Sequence, residues 1–258
     1  MKMRLIGAAI LIVVLVPLLI LGGIPFQIGV AVIAGLSFRE LLKLYKEKNK
    51  LPLIIEIFSY IGVVVLTVSL DSILQAIALI ILMLFIPLII FKNKEYTFNS
   101  VISLLGLIIF VGVIYYSIIY VRLGSIWEII YLLAITILTD TFAYLGGKFF
   151  GKNKLLERIS PNKTIEGSLT GLIVSTSVAS VYYLFTINPG INVGIVILAT
   201  FILSIIGQVG DLVFSAIKRE FEIKDFSNII PGHGGMFDRF DSIAFVSLFY
   251  IIVKLLFL

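Results

Sequence analysis

The residues in this sequence that could do chemistry are carboxylates, cations and hydroxyls. There are no cysteines and a single histidine, His233, so thiolate nucleophiles and multi-imidazole metal sites are excluded. Five polar side chains, Ser204, Gln208, Asp211, Ser215 and Lys218, recur at alternating steps of four and three residues within and just beyond an apolar stretch. On a helix they share one face. Packing alone does not need so many polar groups, so this face is expected to line a polar cavity, with Asp211 as an intramembrane carboxylate in it. A second stripe, Thr136, Asp140, Tyr144 and Gly147, has the same periodicity. It reads either as part of a polar site or as packing between helices through hydroxyls and glycine.

Two connecting segments hold most of the remaining chemistry. Residues 146–167 read GGKFFGKNKLLERISPNKTIEG, with five cations suited to phosphates or lipid headgroups. Within it, Ser160 is expected to be an N-cap with Pro161 in the first helical position. Such a helix start also attracts anions, with Lys163 as the point charge. Residues 215–241 read SAIKREFEIKDFSNIIPGHGGMFDRFD, where Pro231, Gly232, Gly234 and Gly235 enforce turns around His233. His233 is expected to hydrogen-bond backbone in a supporting role. Asp211, at the inner end of the preceding span, and Asp238, beyond the loop, are expected to meet around a hard cation at the membrane surface. Magnesium suits that sparse inventory, because it takes one or two carboxylates plus substrate phosphates and waters. Two other acids are read as non-catalytic: Glu56 as an interhelical hydrogen-bonding group, Glu128 as a span-end residue reaching headgroups.

The elements that must position these groups follow from composition. Of 258 residues, 60% are hydrophobic and 14% charged, against about 25% charged in soluble domains. A water-soluble globular domain is excluded. Apolar stretches of roughly bilayer length run over Leu5–Gly23, Ile24–Leu42, Leu53–Leu70, Ser72–Phe91, Ser100–Val121, Ile126–Leu145, Gly167–Ile187, Val193–Phe214 and Phe240–Leu258. The fold class expected is all-α, a polytopic integral membrane protein of about nine transmembrane helices. With a cytoplasmic N-terminus, Arg122 and Lys254 alone of the 20 Lys and Arg residues fall outside, a strong positive-inside asymmetry. The inner set includes Lys92 and Lys94. Both long connections then face the cytoplasm, with the polar cavity open to it and the C-terminus outside. The first span resembles a signal peptide in its flanking Lys2 and Arg4, but eight further spans favour a retained anchor. Residues 1–258 form one membrane domain, with five spans in 1–121 and a catalytic part in 122–258. The net charge of +5 is read as orientation and not as nucleic-acid binding.

With these residues in view, the chain resembles the phosphatidate cytidylyltransferases, or CDP-diacylglycerol synthases. Residues Ser215 to Asp241 meet every fixed position of their signature, S-x-hydrophobic-K-R-x4-K-D-x-small-x2-hydrophobic-P-x-H-G-G-hydrophobic-x-D-R-x-D. Asp140 to Gly151 is similar to the family's D-x-x-A-Y-x-x-G-[KR]-x-x-G, and Ser160 to Gly167 to its S-P-x-K-T-x-E-G. The specific resemblance covers Asp140 to the C-terminus; the first five spans share only hydrophobicity. It implies a magnesium-dependent reaction of CTP with phosphatidic acid, giving CDP-diacylglycerol and pyrophosphate in the cell membrane, with the site on the cytoplasmic side. The number of cations stays open, and a homodimer is a family expectation. Roles carried over are metal binding for Asp211 and Asp238, catalysis for these two with Lys163 and Asp140, and substrate binding for Ser160, Asn162, Thr164, Lys218, Arg219, His233, Gly234, Gly235 and Arg239. Lys224 and Asp225 belong to the signature without an assigned role. The alternatives are a CTP-dependent kinase of polyprenol-type lipids, which would release CDP, and a transporter, for which the expected inverted repeats are not visible.

Overall fold

The computed structural model describes residues 2–88, 97–230, 232 and 234–258. Lys92, Lys94, Pro231, His233 and the end of the expected fourth span lie outside the described residues. Among the described residues nine helices follow one another, one for each expected span: α1 (Lys2–Leu21), α2 (Gly23–Lys48), α3 (Leu53–Val68), α4 (Ser72–Phe85), α5 (Phe98–Gly124), α6 (Ile126–Phe150), α7 (Ile165–Thr186), α8 (Val193–Glu220) and α9 (Phe237–Phe257). The last five are each long and apolar enough to cross a bilayer, and Ala9–Leu21, α3 and α4 are shorter apolar helices. Ile, Leu, Val and Phe side chains stand exposed along most of them, as a hydrocarbon solvent permits and water does not. The protein is an integral membrane protein.

The helical reading needs one addition and one correction. Between α6 and α7 lies an antiparallel hairpin, β1 (Lys154–Leu156) with β2 (Ser160–Thr164), paired Lys154 to Thr164 and Leu156 to Ser160 across an irregularity. Ser160 is therefore a strand residue and not an N-cap. Pro161, which has no N–H to give, is tolerated in a strand with an unpaired edge, and its carbonyl accepts from Lys154 Nζ at 2.5 Å. The cap falls instead on Thr164, whose hydroxyl accepts the Gly167 N–H at 3.1 Å.

Contacts divide the chain into two compact units: residues 1–123 with 225–238, and residues 124–224 with 239–258. In the first, Gly22 (φ 63°) breaks α1 from α2. Arg122 of α5 donates from Nε to Leu19 O at 2.6 Å and from Nη2 to Ile20 O at 3.1 Å, satisfying carbonyls at the end of α1. The side chain of Asp71 caps α4 by accepting from Ile73 N at 2.8 Å, closing the tight α3–α4 turn. Glu56 bonds between helices, accepting from Lys46 Nζ at 2.8 Å.

In the second unit small and hydroxyl residues join the buried aliphatic side chains where the helices approach most closely. A Cβ on Gly171 of α7 would stand 2.5 Å from Thr139 O of α6, so only glycine permits that approach. Beside it, Ser204 of α8 bonds to Thr139 at 2.9 Å and to Ser175 at 2.7 Å. One level away Thr200 bonds to Tyr131 at 2.7 Å and receives Ser180 at 3.0 Å. Glu128, expected among headgroups, is instead buried and accepts from Lys254 Nζ at 2.6 Å. Pairing removes the cost of burying the carboxylate that the headgroup position was meant to avoid.

Candidate active site

The second unit holds a pocket of about 570 Å³ whose walls are three pieces of chain. α6 supplies Asp140, Tyr144 and Gly147; β2 and the start of α7 supply Ser160, Asn162, Lys163, Thr164 and Ser168; α8 supplies Gln208 and Asp211. Both polar stripes read from the sequence therefore contribute, and Gly147 keeps the wall thin where a Cβ would meet Thr164 Oγ1 at 2.9 Å.

The hairpin is positioned by Glu166 in the first turn of α7. Its carboxylate accepts from Lys152 N at 3.1 Å, from Asn153 N at 3.2 Å and from Asn153 Nδ2 at 2.8 Å. Acidic groups suit a helix N-terminus, and here the acid ties the strand leading into the hairpin to the helix leaving it. Lys163 is thereby held across from α8, where its ammonium pairs with Asp211. Ser215, one turn on, donates to Asp211 Oδ1 at 3.4 Å, and Ser168 donates to Gln208. The Lys163 and Asp211 side chains keep 28% and 23% of their exposure, so the pair is open to the pocket. Such a pair opens at small cost when another anion or cation competes for its members.

Asp140 lines the same pocket as Asp211, and the carboxylate of Asp241, at the start of α9, lies within electrostatic reach of both. Among the described residues no three Asp, Glu or His side chains form a cage for a metal ion. An all-oxygen set with few ligands fits magnesium, which shares its shell with phosphates and water, and not a zinc site.

Of the predicted residues, the structure brings Asp140, Ser160, Asn162, Lys163, Thr164 and Asp211 together. Lys218 stands on the same face of α8, two turns beyond Asp211. Arg219 bonds to backbone, donating to Ile159 O from Nε and to Ile223 O from Nη1, each at 3.2 Å. Arg239 is exposed at the start of α9. Gly234, Gly235 and Asp238 belong to the first unit. There Asp238 Oδ2 accepts from Phe226 N and Gly235 N, both at 2.9 Å. Gly234 adopts φ 83°, a conformation that favours glycine.

Sequence reasoning missed Glu40 and assigned nothing to Asp241. Glu40 is 3% exposed and accepts from Ser227 Oγ at 2.5 Å, Met236 N at 2.8 Å and Phe237 N at 2.9 Å. Glu40, Lys43 and Lys46 together mark the end of the second span, so composition alone gives Glu40 no separate role. The available signal was its phase: Ile33, Ser37, Glu40 and Leu44 recur at helical spacing, and all four are buried.

An integral membrane protein whose pocket carries Lys163 beside Asp140 and Asp211 has the groups that an enzyme acting on phosphorylated substrates at a membrane would use. The comparisons specify which. The model of the cytidylyltransferase family matches residues 2–257, and the chain belongs to that family; it is a nucleotidyltransferase. It is similar to the phosphatidate cytidylyltransferase of Staphylococcus haemolyticus, with 37% identity over 253 residues that cover 95% of this chain and 96% of that protein. Those of Staphylococcus epidermidis and Staphylococcus saprophyticus are 36% and 34% identical over 252 residues, with the same coverage.

Proposed function

We propose that the protein transfers the CMP group of CTP to phosphatidate, giving CDP-diacylglycerol and pyrophosphate. The observation that carries this reading is the pocket in which Lys163 of one family motif meets Asp211 beside Asp140 of another. A lipid phosphate oxygen attacks the α-phosphorus of CTP. The new P–O bond forms as the bond to the β-phosphate bridging oxygen breaks, and pyrophosphate leaves. The nucleophile is already an oxyanion, so no general base is required; positioning and charge stabilisation supply the catalysis.

Lys163 leaves Asp211 for a substrate phosphate, while Ser160, Asn162 and Thr164 offer hydrogen bonds to the same group. Asp211 is then available to a divalent cation. Magnesium, when bound, neutralises charge on the nucleotide phosphates. Asp140 holds substrate or a further cation. Lys218, Arg219 and Arg239 neutralise phosphates, and His233, Gly234 and Gly235 belong to the nucleotide-binding loop. The metal role of Asp238 is part of the same proposal, as are a site facing the cytoplasm, a polar cavity open to it, and a homodimer. The lopsided distribution of Lys and Arg supports the cytoplasmic side.

The test is product analysis with purified protein, magnesium, CTP and phosphatidate. Pyrophosphate and a CMP-bearing lipid are expected in equal amounts. Release of CDP with a phosphorylated lipid alcohol, and no pyrophosphate, would overturn the reading.

A further inference from the structure

A second pocket, of about 500 Å³, lies wholly in the first unit and shares no residue with the one above. Arg39, Lys43 and Lys46 enter it from one face of α2, Glu56 and Tyr60 from α3, and Ser227 from the signature loop. Lys46 is neutralised by Glu56 at 2.8 Å. Glu40 turns its carboxylate to the loop amides and to Ser227. Arg39 and Lys43 have no carboxylate partner among the described residues. Tyr60 is held in place by Phe38, edge to face at 5.1 Å, and its phenol lies within electrostatic reach of Glu56 and of Arg39. The pocket thus holds two cations without a carboxylate partner among the described residues, and a hydroxyl beside them.

What surrounds it selects the anion. Ile57 and Ile61, one position on from Glu56 and Tyr60, are exposed along α3, as are Leu53 and Ile54. The helix that supplies Glu56 and Tyr60 to the pocket thus also carries exposed apolar side chains next to them in sequence. A ligand that fills the pocket and covers these side chains must carry a phosphate and hydrocarbon together. We propose that this pocket binds the headgroup of an anionic glycerophospholipid, with its acyl chains against Ile57 and Ile61. Cations beside an anionic bilayer surface favour such lipids, and the pocket gives that attraction a fixed address. Because Glu40 and Ser227 form part of its wall, the bound lipid touches the residues that hold the signature loop. The proposal does not depend on the reaction proposed above, since its test needs neither CTP nor turnover.

Native mass spectrometry of the full-length protein in detergent, with phosphatidylglycerol or phosphatidylcholine added, reads the preference. Wild type should retain phosphatidylglycerol over phosphatidylcholine. The Arg39→Gln/Lys43→Gln variant should lose roughly tenfold to thirtyfold of that preference, the loss expected for two cations near the headgroup, while Arg39→Lys/Lys43→Arg keeps it. An unchanged preference in the glutamine variant, or displacement of the lipid by inorganic phosphate at millimolar concentration, would overturn the proposal. A photoreactive phosphatidylglycerol on wild-type protein gives a second reading that needs no variant. Label on the α2–α3 peptides supports the site, and label confined to other helices overturns it.

Discussion

Each unit of the molecule carries one of the two carboxylates expected to bind metal, and the two are held differently. In the first unit Asp238 accepts two backbone N–H groups on one oxygen, and the nearby Glu40 accepts two more and a hydroxyl. Both are buried, and the backbone amides they accept from belong to the loop. In the second unit Asp211 bonds to Lys163 and Ser215, side chains that can swing away, in the wall of a pocket. Backbone partners make a carboxylate architectural, whereas side-chain partners leave it able to exchange them for a ligand. Burial decides the first kind and access the second.

The widest separation between the two kinds should come from Asp211→Ala. Turnover should fall by about a thousandfold or more, as for loss of an electrostatic group acting on a transferring phosphate, while the Tm in detergent stays within a few degrees. A Tm loss as large as that of Asp238→Ala would erase the contrast. Asp238→Ala should do both kinds of damage, because two buried N–H groups lose their acceptor at roughly 1–3 kcal/mol each. Lys163→Ala should follow with a smaller effect, chiefly a raised KM for CTP. Unchanged KM and kcat would remove Lys163 from phosphate binding.

The helices were legible because lipid solvent makes every span a long apolar run, and each expected span coincides with a helix. The α8 stripe was legible because its period is helical and its residues are polar where lipid would otherwise be. The hairpin was not. Ser160 followed by Pro161 fits a helix start and a strand equally well in local terms. The choice is made by pairing with Lys154 and Leu156, a contact across a turn that no local pattern records. Glu128 failed for a similar reason: its partner Lys254 is 126 positions away. Glu40 was hidden among the cations that flank it, since composition marks a span end but only the helical phase tells which acid points inward.

The smallest expected effect tests whether the architectural role of Glu40 depends on charge or only on its oxygens. Gly235 leaves no room beside it, since a Cβ there would lie 2.6 Å from Glu40 Oε1, so a side chain of the same shape is needed. Glu40→Gln keeps one oxygen acceptor but places an amide N–H₂ opposite a backbone N–H, so one of the two loop amides loses its acceptor. The expected cost is about 1–2 kcal/mol, one unsatisfied buried donor, seen as a drop of a few degrees in Tm. Glu40→Ala should cost at least twice that, because all three donors are orphaned. Activity should fall in proportion to the loss of ordered loop, with kcat more affected than KM for either substrate if the loop acts after binding. A Glu40→Gln protein as stable as wild type would mean that the loop amides find water instead. The Glu40 carboxylate would then resemble that of Asp211, a group whose partners exchange.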